Sequence, residues 1–305
     1  MNILQIERSS LKQGRILNII MGIMGITFSI LSNSSALMVD GLYSMVNFAS
    51  SIIAAGVSAK IAMDADEKMP LGYDTYESLY ITFRSLVLLG IMLFSCMAAL
   101  SKIFTYIMDG SAPGIKPGFI LIYTVINVIL CFSLAKIHKT NYKKTGNKSE
   151  ILKTEHSAAI IDGMISLGAG GAIVGMTLLK GTPLEFLVPI SDSLVVLVLV
   201  SCIIKEPLLL FKNSINELLG KSVGNKIERE ITTLLGLVVN LEKYEFIDLK
   251  IFKVGRHYHV LVLLKPLEVV TVEEMDIIRS KIHKNLQKIA AVRSEVIFTQ
   301  NKWYL

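Results

Sequence analysis

The chain has 305 residues, of which 52% are hydrophobic and 18% charged, with a mean hydropathy of +0.56. A soluble domain carries about 25% Asp, Glu, Lys and Arg, so these values exclude a wholly soluble globule. The net charge of +6 comes from basic residues beside apolar segments and in the C-terminal part, with no Arg-rich run interleaved with aromatics. Membrane orientation is the expected use of that charge, and no nucleic-acid partner is expected.

A bilayer span needs about 20 mostly apolar residues. Six are predicted, over 16–31, 35–59, 79–100, 118–135, 158–179 and 184–204. The first starts basic and is followed by Ser34-Ser35-Ala36, which mimics a signal peptide. Because the next span begins almost at once, the first is read as a retained span. Arg8, Lys12, Arg15, Lys60, Lys68, Lys136, Lys139, Lys143, Lys144, Lys148 and Lys153 fall on one side of the spans. Only Lys102, Lys116 and Lys180 fall on the other, beside the turn residues Pro113, Gly114, Pro117, Gly181 and Pro183. The positive-inside rule then places both termini in the cytoplasm, in a multi-pass protein assigned to the cell membrane. Arg84, a short way into the third span, is expected to snorkel to the cytoplasmic interface; the alternative is that it neutralises an acid. Gly168-Ala169-Gly170-Gly171 lies inside the fifth span and reads as close helix packing. Cys96, Cys131 and Cys202 occur singly in apolar spans and read as small buried hydrophobes.

From about Leu208 the sequence turns charged and alternating. Two domains are expected: a membrane domain over 1–207 and a cytoplasmic domain over 208–305. In the second, 222–236 is predicted helical, with Ile227, Ile231 and Leu234 or Leu235 on one face. Strands are predicted over 245–254 and 256–265, joined at Gly255. Thr271 and Glu274 form a capping box for a helix carrying Met275, Ile278, Ile282, Leu286 and Ile289, and 295–300 is a last strand. The fold class is thus an α-helical membrane protein, a six-helix bundle followed by a small α-β-β-α-β domain with helices on one face of its sheet.

Asp40 and Asp162 carry the functional reading. An ionisable group at membrane depth costs at least a few kcal/mol, so it faces a partner, a cavity or an ion. Asp40, Tyr43 and Asn47 are spaced i, i+3, i+7 and share a helix face; Glu155 and Asp162 are spaced i, i+7. Spans two and five run in opposite directions, so Asp162 is expected near the level of Asp40 or Tyr43, with Glu155 nearer Asn47. A cation would then be held by Asp162, Asn47, Tyr43 and one further carboxylate. Every candidate ligand is oxygen, which suits a hard ion, Mn²⁺ before Fe²⁺ or Mg²⁺; a monovalent ion is the alternative. The same carboxylates would exchange metal for protons. The competing readings are structural: Asp40 as a solvated cap, Tyr43 and Asn47 as interhelical hydrogen bonders, and Glu155 as a surface carboxylate beside Lys153 and His156.

Elsewhere, His257 and His259 fall on one face of a strand and His283 on the last helix, where they either ligate a metal or are simply solvated. Asp64, Asp66 and Glu67 read as a solvated acidic loop. The chain has no Gly-rich phosphate loop, no HExxH and no Ser/His/Asp set, so neither an enzyme nor a bound cofactor is expected.

Several stretches add up to a resemblance. Ser35-Ala36-Leu37-Met38-Val39-Asp40-Gly41-Leu42-Tyr43-Ser44 opens span two, and Pro70-Leu71-Gly72-Tyr73 with Tyr76-Glu77-Ser78-Leu79 precedes span three. Asp162-Gly163-Met164-Ile165-Ser166 lies in span five, and Lys205-Glu206-Pro207-Leu208 leaves span six. In order and spacing these resemble the cation diffusion facilitator family over nearly the whole chain. That resemblance implies a homodimeric exporter of divalent metal ions from the cytosol in exchange for protons. It also implies four ligands in i, i+4 pairs on spans two and five, at positions held here by Tyr43, Asn47, Ala158 and Asp162. Only Asp162 is a standard ligand of the family. By the same resemblance, Val188 stands where the family often has an acid before Pro189, and Asp192, four residues on, is a substitute polar group or a packing residue outside the site. The departures at Tyr43, Asn47 and Ala158 raise an alternative: a non-transporting membrane partner or metal sensor.

Overall fold

The computed structural model of the protein describes residues 3–61, 63, 65–70, 72–110, 114–145, 150–179, 181–239, 243–255, 257–288 and 292–300. Leu71, Pro113, Lys148, Lys180, Asp64, Arg256 and Ile289 of the sequence reading lie outside the described residues. The chain divides into two compact units, one of residues 1–55 and 83–209, the other of residues 56–82 and 210–305.

The helices are α1 (Ile3–Ser32), α2 (Ser35–Ile61), α3 (Thr75–Asp109), α4 (Pro117–Lys144), α5 (Glu150–Thr177), α6 (Ser191–Ile203) and α7 (Lys205–Leu218). Six helices are long and apolar enough to cross a membrane, the last formed by α6 and α7 together. The sixth begins at Ser191, not at 184. Residues 184–190 hold a short 3₁₀ turn at Glu185–Leu187, closed by Leu187 N–H donating to Leu184 O at 3.0 Å. Hydropathy misses this break because Leu184, Phe186, Leu187 and Val188 stay apolar while the backbone turns.

Small residues set how closely the first unit packs. A Cβ on Gly25 would strike the Gly41 backbone, and one on Gly41 would come within 2.7 Å of Ile26 N, so α1 and α2 meet main chain to main chain. A Cβ on Gly170 would collide with Thr124 of α4, whereas Gly168 and Gly171 have open space around them. Of the glycine-rich stretch, therefore, Gly170 makes the close contact.

Asp192 of α6 is 2% exposed and serves the start of α2. Its carboxylate accepts from Ser34 Oγ at 2.5 Å, Ser35 N at 2.7 Å and Ala36 N at 3.1 Å, with Lys102 Nζ 3.4 Å away. Those amides have no partner within their own helix, and a negative charge at a helix N-terminus is favourable. Asp192 is a capping group supplied by a distant segment.

In the second unit, α8 (Asn225–Val238) and α9 (Val272–Leu286) accompany a sheet of β1 (Tyr244–Val254), β2 (His257–Pro266) and β3 (Val292–Phe298), in the order β1-β2-β3. The first pair is antiparallel and the second parallel. Ile231 and Leu235 of α8, Ile278, Ile282 and Leu286 of α9, and Val260, Val262 and Leu264 of β2 share one core. The predicted capping box is present: Thr271 N donates to Glu274 Oε2 at 2.9 Å and Glu274 N to Thr271 Oγ1 at 3.3 Å. Gly255 takes φ +56° at the hairpin turn, a conformation other residues adopt at a cost. The predicted helix start at 222 shifts to Asn225, because Ser222 bridges to Phe252 of β1. The last strand starts earlier than 295, at Val292, where pairing with Tyr258 begins.

Residues 56–82 join this unit through polar contacts. Asp74 is 2% exposed; His257 Nδ1 lies 2.9 Å from its Oδ1 and Arg293 Nη2 lies 3.1 Å from its Oδ2. The histidine contact is an ion-pair distance but is off hydrogen-bond alignment. Ser78 Oγ accepts from Gly255 N at 3.0 Å and donates to Glu217 Oε2 at 2.7 Å, and Lys253 Nζ donates to the other Glu217 oxygen at 2.7 Å. A buried carboxylate stripped of its partners is costly, roughly 3–5 kcal/mol when the pair is fully buried. Removing Asp74 instead leaves the Arg293 and His257 side chains, which already touch solvent. Asp74→Ala should therefore destabilise the protein by roughly 1–3 kcal/mol, read as a lowered thermal midpoint in detergent. An unchanged midpoint would show that Asp74 does not hold this unit together.

Candidate cation site in the helical bundle

The site is built on α2, α4 and α5. Asp40 and Tyr43 stand one turn apart on α2, and Asp162 and Ser166 one turn apart on α5. Together with Tyr123 and Thr124 of α4 they line a cavity of about 40 Å³, whose remaining lining is mostly apolar, including Leu37, Met92 and Ile203. That volume is room for three or four water molecules at about 10–15 Å³ each. The polar groups at its wall are all oxygens.

Asp40 is not a solvated cap. Its Oδ2 accepts from Tyr123 Oη at 2.7 Å, Ser166 Oγ at 2.9 Å and Asn127 Nδ2 at 3.1 Å. Asn127 Nδ2 also donates to Ser166 Oγ at 2.9 Å. One carboxylate oxygen thus gathers three donors from two other helices. Asp162 differs: among the described residues neither its carboxylate nor the Tyr43 hydroxyl has a hydrogen-bond partner. The ionisable groups that act on Asp162 are Asp40, Glu155, Glu206 and, more weakly, Arg84.

The structure therefore brings together three of the five residues singled out in the sequence, Asp40, Tyr43 and Asp162, with Asp162 at the level expected. Asn47 and Glu155 do not line the cavity. Asn47 Oδ1 accepts from Arg84 Nη2 at 3.0 Å. Arg84 thus turns inward to Asn47 instead of snorkelling away, because an amide oxygen within reach satisfies part of its guanidinium. The sequence reading missed Tyr123, Asn127 and Ser166 as partners of Asp40. Their signal was the i, i+4 spacing of Tyr123 with Asn127 and of Asp162 with Ser166, polar pairs inside apolar spans.

Elsewhere the candidates disperse. His257 faces Asp74, and His259 stacks on Phe252 at 5.1 Å between ring centroids. Burial, with the Arg293 charge adding to it, holds the His259 imidazole below its ordinary pKa. His283 Nδ1 lies 2.9 Å from Ser294 Oγ. Asp66 accepts from Lys68 N, Met69 N and Tyr73 Oη, and the Tyr73 bond leads in lowering its pKa. Among the described residues no three His, Cys, Asp or Glu side chains form a group able to hold a metal.

These geometries separate the two buried acids. Asp40→Ala strands three donors and should cost roughly 2–4 kcal/mol, whereas Asp162→Ala strands none and should cost less than about 1 kcal/mol. Thermal unfolding in detergent decides; equal losses would contradict the assignment of Asp40 as the structural hub.

Comparison with known proteins gives the last observation. Residues 14–219 match the family model of the cation efflux transmembrane domain. Among curated proteins no match is found. The match spans more than half of the chain and takes in α2, α4 and α5 with the oxygen-lined cavity. The chain belongs to the cation efflux family, multi-pass membrane transporters of metal cations.

Proposed function

We propose that the protein exports a hard divalent cation, Mn²⁺ ahead of Fe²⁺ or Mg²⁺, from the cytosol in exchange for protons. It does so as a homodimer in the cell membrane with both termini cytoplasmic. The observation that carries this reading is the unbonded Asp162 carboxylate at a cavity whose polar groups are all oxygens. Carboxylate, hydroxyl and water oxygens favour hard ions, and the cavity offers neither the thiolate nor the imidazole that favours Zn²⁺. The basic residues beside the N-terminus and the even-numbered connections support the topology. The homodimer rests on the family resemblance alone.

Proton exchange follows from one carboxylate serving two ligands. A bound cation stabilises the ionised acid and a proton neutralises it, so each displaces the other. Acidification should weaken metal binding. For competition with one proton, the apparent Kd rises by about tenfold per pH unit once the acid is mostly protonated.

A second reading keeps the fold and loses transport. Two observations favour it: the engagement of Asn47 by Arg84, and alanine at position 158 in place of a ligand. Reconstituted vesicles separate the two. Wild type should take up Mn²⁺ in response to a pH gradient and in preference to Zn²⁺ or Na⁺, and Asp162→Ala should abolish uptake. Zn²⁺ flux without Mn²⁺ flux would refute the hard-ion reading, and flux indifferent to pH would refute proton exchange. No flux of any ion by folded wild type would favour the membrane partner or sensor.

A further inference from the structure

Arg84 is the one part of the site's surroundings that the proposed transport leaves unused, and its chemistry runs against transport. Its Nη2 donates to Asn47 Oδ1 at 3.0 Å, while its Nε is buried with no hydrogen-bond partner. Its charge acts on Tyr43, Glu155 and Asp162. A guanidinium stays protonated at any physiological pH, so a fixed positive charge sits beside the acids that would receive the cargo. Its hydrogen-bond partner, Asn47, is a neutral amide on α2 one turn from Tyr43 of the cavity wall.

We infer that Arg84 is a specificity-determining residue, a cation tethered through Asn47 one helical turn from the cavity, which weakens the site in proportion to the charge of the transported ion. The inference rests on the reading under Proposed function. Two consequences follow from elementary electrostatics. Coulomb repulsion by one fixed charge scales with the charge of the incoming ion, so a divalent ion is disfavoured twice as strongly, in free energy, as a monovalent one. Affinity moderated in this way assists release, since an ion caught by unopposed acids in a mostly apolar cavity dissociates slowly.

The test is ion binding to the full-length protein in detergent, by calorimetry with Mn²⁺ and with Na⁺, for wild type, Asp162→Asn, Arg84→Gln and Arg84→Lys. Arg84→Gln removes the charge and keeps a donor for Asn47. It should tighten Mn²⁺ by about tenfold and Na⁺ by about threefold, the square relation expected when only the ionic charge differs. Arg84→Lys keeps the charge and should bind both ions much as wild type does. Unchanged or equal gains for the two ions overturn the inference. If Arg84→Gln fails to fold, Arg84→Met, which also removes the charge, decides, since Mn²⁺ binding no tighter than wild type overturns the inference. Wild-type Mn²⁺ binding that is lost in Asp162→Asn upholds the underlying reading whatever Arg84 does. Wild type that binds no ion, or binds equally after Asp162→Asn, overturns both.

Discussion

The bundle is organised around one carboxylate oxygen. Asp40 Oδ2 draws Tyr123 and Asn127 of α4 and Ser166 of α5 toward α2. In an apolar medium each of those groups needs a partner, and the alternative to meeting at Asp40 is an unsatisfied donor in hydrocarbon. Apolar packing alone does little to fix which helices meet in lipid. Three convergent donors set the register of three helices, and the cavity that Asp162 faces is the space their meeting leaves.

Two acids on different helices, Asp40 on α2 and Asp162 on α5, thereby divide the labour. Asp40 is tied into the frame, and Asp162 is exposed to the cavity without a donor. A carboxylate already committed to three hydrogen bonds is a poor exchange site, whereas one with none gains most from an arriving cation or proton. A third buried acid, Asp192, is spent on the amides that open α2. Each of the three is an aspartate in an apolar helix, and only their partners tell them apart.

That difference marks the limit of what the sequence displays. The spans, apart from the start of the sixth, the α-β-β-α-β order and the Thr271–Glu274 capping box are local patterns, and each was legible. The level of Asp162 relative to Asp40 followed from helix periodicity and antiparallel direction. The partners of Asp40, the use of Asp192 as a cap and the pairing of Asp74 with His257 and Arg293 join residues far apart in sequence. No spacing rule reports such contacts. Arg84 was misplaced for the same reason: snorkelling is the default for an isolated arginine near an interface, and Asn47 on a neighbouring helix overrides it.

The contact between Gly25 and Gly41 acts on the mechanics of the bundle. Where two helices touch through bare backbone, no interleaved side chains resist a change in their crossing angle, so the contact can work as a fulcrum. Displacement about a fulcrum grows with distance from it, and Asp40 is the neighbour of Gly41 in the chain. Any change in that crossing angle would move the distant parts of the two helices most and Asp40 least.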